Sequence, residues 1–361
     1  MKSLETDKLL KRANELKNNS RFLDSLRLFD KTLKLCKAHK DFGKVLECQL
    51  SRGDVFRMTG DFQKAIRSYS DAVETSRKLN DLVSLTDAKT GIGLSFRGMG
   101  DWKNALKIFS GTLKFYEKLK DKHAIAFSLW AIAGTLRIKG DIPEAISTFK
   151  KSLVIFRSLK DNYGIGYCMC GLGGTHRIAG SFSNSLKYYT SANKLFSKIG
   201  DKFGQAYSYC GTGNASRMSG KYKEAMSNFK KASSIYKRIG DKVSYSYTLW
   251  SMGTTQKMLG DFDSAGDYFK AARKFFTATG DQRGLIYCKL GAGEILFLKG
   301  RKKAALKHIT ESIASAIRYG FKVEKCHAEI LRSYMLGQIN LSCYNKLGLK
   351  LKLNTAPFNF P

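Results

Sequence analysis

The sequence predicts an all-α solenoid of helix–turn–helix repeats, on three observations. Glycine recurs every 40 residues without slippage, at Gly60, Gly100, Gly140, Gly180, Gly220, Gly260 and Gly300. A small residue follows five positions later and an aromatic or isoleucine four beyond that, as at Ala65 and Tyr69 or Ala225 and Phe229. The body holds a single proline, Pro143, the other two being Pro357 and Pro361, so little interrupts long helices. Self-similarity at a fixed period marks supersecondary units that bury their apolar faces only by stacking on their neighbours.

Each unit divides into two helices. Helix A spans about residues 243–258 and helix B about 262–278 in one example. The glycine of the first series ends helix A in the left-handed conformation, and Asp61, Asp101, Asp141 and Asp261 stand next as N-caps of helix B. Pro143 falls in the first turn of its helix, where a missing N–H costs little. Asp41, Asp81, Asp121, Asp161, Asp201, Asp241 and Asp281 cap the following helix A. A second series, Gly53, Gly93, Gly173, Gly213, Gly253 and Gly293, with Ala133 once, lies inside helix A. A mid-helix glycine costs about 1 kcal/mol against alanine, so a repeated one implies a repeated close contact. Ala13, Ser25 and Phe29 carry the register back to the N-terminus. Eight repeats therefore occupy residues 1–320, a capping half-repeat 321–346 and an irregular tail 347–361, disordered or laid over the last helices.

These spacings, for instance Gly253, Gly260, Ala265, Phe269 and Ala272, resemble the tetratricopeptide repeat (TPR) signature. The 40-residue period resembles the extended subtype of Leu-Gly-Asn-repeat adaptor proteins, with Gly-Asp or Lys-Asp junctions where the shorter repeat has proline. The resemblance implies a right-handed superhelix whose A helices line a concave groove, protein or peptide binding, and no catalytic residues.

Composition sets the partner class. The chain has 361 residues, 43% of them hydrophobic, and 63 Lys and Arg against 30 Asp and Glu, a formal charge of +33. Such a chain can bury a core, and its field attracts anions: acidic protein, nucleic acid or an anionic surface. Met1 to Glu5 carry no apolar leader and no stretch is long enough for a membrane span, so a cytoplasmic protein is expected. The eight cysteines form no disulfide framework and read as buried thiols in a reducing compartment.

One stripe of helix A, at residues equivalent to 247, 250, 254 and 257, faces the groove. Its last column reads Lys17, Arg57, Arg97, Arg137, Arg177, Arg217 and Lys257, seven cations in register. Arginine offers a permanently charged planar fork for carboxylate or phosphate. Beside the ladder stand Tyr167, Tyr207, Tyr247 and Trp250, with Asn214 in the third column. Arg57, Arg97, Arg137 and Lys257 each precede an aspartate by four residues and are candidates to pair with it, whereas Arg177 and Arg217 face Ser181 and Lys221. The expected binding set is Arg137, Arg177, Arg217, Lys257, Tyr167, Tyr207, Tyr247, Trp250 and Asn214, with the middle of the groove most positive. The leading reading is a non-enzymatic adaptor holding an acidic peptide of another protein. A single-stranded nucleic-acid binder, with bases on the rings and phosphates on the arginines, and a peptide-sensing regulator are the alternatives. Cys168, Cys170 and Cys210 lack the spacing of a metal site, and Gly171-Leu172-Gly173-Gly174 lacks a phosphate-loop frame, so neither metal nor cofactor is expected.

Overall fold

The computed structural model describes residues 2–361. Sixteen helices form eight A/B pairs, followed by two more helices and a coil. The A helices are α1 (Lys2–Asn18), α3 (Phe42–Met58), α5 (Leu82–Gly98), α7 (Lys122–Lys139), α9 (Asn162–Ile178), α11 (Lys202–Met218), α13 (Lys242–Met258) and α15 (Gln282–Leu298). The B helices are α2 (Phe22–Ala38), α4 (Phe62–Lys78), α6 (Trp102–Leu119), α8 (Ile142–Ser158), α10 (Phe182–Ile199), α12 (Tyr222–Ile239), α14 (Phe262–Thr279) and α16 (Lys302–Tyr319). A last helix of A type, α17 (Lys322–Met335), and the short α18 (Ser342–Lys346) complete them.

The turn chemistry is local. Every first-series glycine has positive φ, from 76° to 99°. All seven aspartates before the A helices α3 to α15 accept a backbone N–H of the first turn. The aspartates before the B helices split. Asp101 and Asp261 cap as expected, at 3.1 and 3.0 Å. Asp61 and Asp141 do not, because each is drawn to a lysine one superhelical turn away: Lys242 at 3.1 Å and Lys322 at 2.6 Å.

The small-residue rule has one physical cause, visible at Tyr189. Its buried ring lies between two A helices. A Cβ at Gly173 would meet the ring at 2.8 Å and one at Gly211 at 2.0 Å. Each B-helix aromatic is thus clamped by its own helix A and by the next, which locks repeat to repeat.

Successive turns of the superhelix touch. Besides the two ion pairs, Trp102 Nε1 donates to the Tyr319 carbonyl at 3.0 Å, 217 residues along the chain. The turns so joined surround a central space, the channel. The coil after α18 lies against α17, through Phe358 on Tyr334 and Phe360 on His327, and also reaches beyond the last helices. Its Lys350 N–H donates to the Ala179 carbonyl at 3.0 Å, and Leu349, Leu351, Leu353, Phe358 and Phe360 are all buried. It enters the channel. Two cysteines also depart from expectation: Cys326 of α17 and Cys343 of α18 are disulfide-bonded, and the other six are free, five of them buried. No helix among the described residues is long and apolar enough to cross a membrane.

Candidate functional site

The cation ladder runs along the inside of the channel, and none of its members pairs with the aspartate of its own turn. Four of the seven instead meet the third stripe column of the next repeat, 37 positions on. Lys17 approaches Asp54 at 3.9 Å, and Lys257 forms a buried ion pair with Glu294. Between these ends the third column reads Leu94, Gly134, Gly174, Asn214 and Thr254, and two arginines use the room beside the glycines. A Cβ at Gly134 would meet Arg97 Nη1 at 2.9 Å, and one at Gly174 would meet Arg137 Nη1 at 2.5 Å. The outer cations are thereby neutralised and the central ones are not. Arg57, near the first end, reaches Asp54 at 3.6 Å and the Tyr69 hydroxyl at 3.4 Å. Arg97 lies over the Trp130 ring, 4.6 Å from its centroid.

Burial and mutual repulsion show in the ionisation of the ladder. Burial, then Arg137 and Arg57, pulls the Arg97 guanidinium down to about 9. Burial, then Arg177, does the same to Arg217, also to about 9. Lys257 is lowered by burial, with Glu294 opposing. Arg177 Nε and Nη1 and Arg217 Nε are buried with no hydrogen-bond partner. A buried cation without a counter-charge is costly, so this stretch of the channel has unmet demand for an anion.

The remaining expected residues converge here, with one exception. Arg137, Arg177, Tyr207, Asn214, Tyr247 and Trp250 line one cavity of about 230 Å³, together with Arg283, Tyr287 and Pro361. Asn214 Oδ1 accepts from Arg217 at 3.0 Å, and Trp250 lies under the same guanidinium. Tyr167 is elsewhere: its hydroxyl donates to Asp201 at 2.8 Å, and its ring packs on Phe196 at 4.9 Å in a separate cleft.

Two residues and one segment of the site escaped the stripe analysis. Arg283 stands one helical turn before the tyrosine column and pairs with Glu324 of α17 at 2.6 Å, with Tyr287 donating to the same carboxylate at 2.7 Å. His327 of α17 is fully buried, and burial drives it down to about 4. The tail itself is the third omission at segment level. Arg217 Nη2 donates to the Phe360 carbonyl at 2.8 Å, and Arg217 Nη1 to the Asn359 side chain. Lys257 donates to the Phe358 carbonyl at 2.6 Å, while the Phe358 N–H donates to Glu294. Among the described residues no group of three or more His, Cys, Asp or Glu side chains could hold a metal ion.

A family model described as tetratricopeptide repeat matches residues 85–158. The same 40-residue register continues on both sides of that segment, so the chain is built of tetratricopeptide-type repeats. No curated protein matches it by sequence. Among solved structures it is similar to a Rap protein complexed with competence and sporulation factor, at 14% identity and TM-score 0.61, over 96% of this chain and 99% of that one. It is also similar to the Rap conjugation gene regulator of plasmid pLS20 in complex with the Phr* peptide, at 12% identity and TM-score 0.66, over 87% and 96%. A third is the Cut9–Hcn1 hetero-tetramer of the APC/C, at 18% identity and TM-score 0.59, over 93% and 57%. At these identities the shared property is the solenoid fold.

Proposed function

We propose that this protein is a non-enzymatic adaptor that holds an extended, acidic segment of another polypeptide inside its channel. The observation that carries the reading is the tail: an extended stretch of polypeptide already lies there, its carbonyls held by Arg217 and Lys257. Backbone contacts of this kind serve any sequence, and the central arginines, uncompensated by protein carboxylates, favour an acidic one. Two solenoids of similar fold are described as complexes with a peptide or a factor, which supports a peptide in this position. A nucleic-acid reading has less support, because the rings beside the ladder pack on one another, as Trp250 does on Tyr287 at 4.8 Å. We place the binding in the cytoplasm, on the six free thiols, against which the single Cys326–Cys343 bond counts the other way.

The test is selection from a synthetic octapeptide library with Glu, Phe or Lys fixed at each position in turn. Glu-fixed pools should be enriched on the native chain. The folded variant Arg177→Gln with Arg217→Gln should lose that enrichment by about tenfold or more, since a charge-assisted hydrogen bond contributes about 1.5–3 kcal/mol. Unchanged enrichment on the variant would remove the arginines from the site. Retention of oligonucleotides in place of peptides would support the nucleic-acid reading.

A further inference from the structure

The way the tail is held specifies more than an extended peptide. Resting on the peptide-channel reading, we infer that the channel recognises an aromatic–Asn/Asp–aromatic triplet. The chain's own Phe358-Asn359-Phe360 is its resident copy, and a Phe-Asp-Phe segment from another polypeptide displaces it.

Each position of the triplet meets different chemistry. Phe358 is fully buried and packs edge-on against Tyr334 at 4.9 Å, while its N–H and C=O are taken by Glu294 and Lys257. Phe360 packs at a tilt on His327 at 4.6 Å, with the Lys257 ammonium 5.9 Å from its ring. The two rings fill closed sites, so a smaller side chain leaves a void there. Between them Asn359 exchanges two hydrogen bonds with Arg217: its Oδ1 accepts from Nη1, and its Nδ2 donates to the Arg217 carbonyl at 2.9 Å.

The middle position is the weak one. Lys257 has Glu294 as its counter-ion and Arg283 has Glu324. Arg217, fully buried, has no ion pair among the described residues and is offered only amide and carbonyl oxygens. An aspartate in place of Asn359 would keep the acceptor and add the missing charge, while giving up the Nδ2 hydrogen bond to the Arg217 carbonyl, from which its second oxygen turns away toward the guanidinium. The Arg217–Asn359 bond is already charge-assisted, so the gain is the counter-charge itself: a carboxylate pairs a buried cation that otherwise has none, and an incoming Phe-Asp-Phe out-competes the resident triplet on that term. Release is local. Asn354 and Thr355 are exposed and Ala356 and Pro357 only half-buried, so the triplet swings out on this stretch while Leu349 to Leu353 remain packed. The cavity beyond Pro361, toward Arg177 and Arg137, gives a longer incoming segment somewhere to go.

The experiment uses fluorescein-labelled, amidated Thr-Ala-Pro-Phe-Asp-Phe and its Asn counterpart, with anisotropy read against the full chain and its variants. The Asp peptide should bind about tenfold more tightly than the Asn peptide. Arg217→Gln should abolish that preference. A tethered competitor acts at effective concentrations on the order of millimolar, so weakening the tail should strengthen binding in trans. Phe358→Ser with Phe360→Ser should raise affinity at least about tenfold, and Asn359→Ala, a milder change that leaves both rings seated, several-fold. Equal affinity for native and Asn359→Ala chains, equal affinity for the two peptides, or no binding to a folded Asn359→Ala chain would each overturn the inference. If the octapeptide library binds the native chain while these peptides do not, the peptide-channel reading survives and the triplet does not. If neither binds, both fall.

Discussion

Glu294→Gln is the sharpest perturbation of the channel. Glu294 is fully buried and serves two donors, the Lys257 ammonium and the Phe358 N–H. Glutamine keeps the shape and an acceptor but removes the charge. Lys257, with a side chain only 2% exposed, is then left ionised beside Arg217 without a counter-ion. Breaking one half of a buried pair costs about 3–5 kcal/mol, because the surviving charge stays desolvated. Lys257→Met should cost a similar amount, leaving the carboxylate with the Phe358 N–H alone. The double variant Lys257→Met with Glu294→Gln buries no orphan charge and should lose far less than the sum, a coupling of about 2–4 kcal/mol. The assay is urea unfolding followed by far-ultraviolet circular dichroism, with the slope checked because solenoids lose cooperativity more readily than compact domains. A coupling below about 0.5 kcal/mol is what a solvent-exposed pair gives. It would refute the claim that the channel is closed to water at this point.

Further outcomes follow from the same reasoning. Asp241, buried and capping α13 without a cation, has its carboxyl raised to about 6 by burial. The folded chain then holds a proton that the unfolded chain releases near 3.8, so Asp241 withdraws about 3 kcal/mol of stability as pH rises from about 4 to 6. The advantage of Asp241→Asn over the native chain in urea midpoint should grow across that window and level off above it; equal shifts at pH 3.5 and 7 would contradict this. His327 runs the other way. Held neutral with a folded value near 4, it contributes about 3 kcal/mol that is present above pH 6.5 and lost as pH falls toward 4. The two contributions oppose each other between pH 4 and 6, so His327→Gln should make stability fall more steeply with rising pH across that window than it does in the native chain. Gly211→Ala drives a methyl into the Tyr189 ring and should cost about 1–3 kcal/mol by overpacking. Gly266→Ala, with nothing within 4 Å of the added carbon, should stabilise by about 0.5–1 kcal/mol, both read from urea midpoints.

What the sequence revealed follows the range of the interactions involved. The repeat, the glycine turns and the aspartate caps before the A helices rest on contacts within a few residues, and the 40-residue register printed each of them eight or nearly eight times. The stripe of helix A was legible for the same reason. The surroundings of its cations were not, since four of the seven meet residues 37 positions on and the local aspartate at four positions looked nearer on paper. The rule was present in the columns: acidic at Asp54 and Glu294, glycine at 134 and 174, each opposite the preceding cation. Contacts between superhelical turns, such as Lys242 with Asp61 and Trp102 with Tyr319, depend on the pitch of the assembled solenoid, which no local pattern states. They redirected Asp61 and Asp141 from capping. The tail has no period at all, and its place is set by the vacancy and charge of a channel that exists only once the repeats are stacked. Tyr167 shares its column with Tyr207 and Tyr247, yet Asp201 draws its hydroxyl away from the central cavity.

Amide hydrogen exchange over residues 353–361 tests most directly whether the cation ladder holds an extended polypeptide inside the superhelix. The Phe358 N–H, bonded to Glu294 in the channel, should exchange about as slowly as amides in the middle of α11 and α13, and Arg217→Gln should speed it by an order of magnitude or more. Exchange of Phe358 and Phe360 within seconds in the native chain, at the rate of an unstructured peptide, would contradict the account.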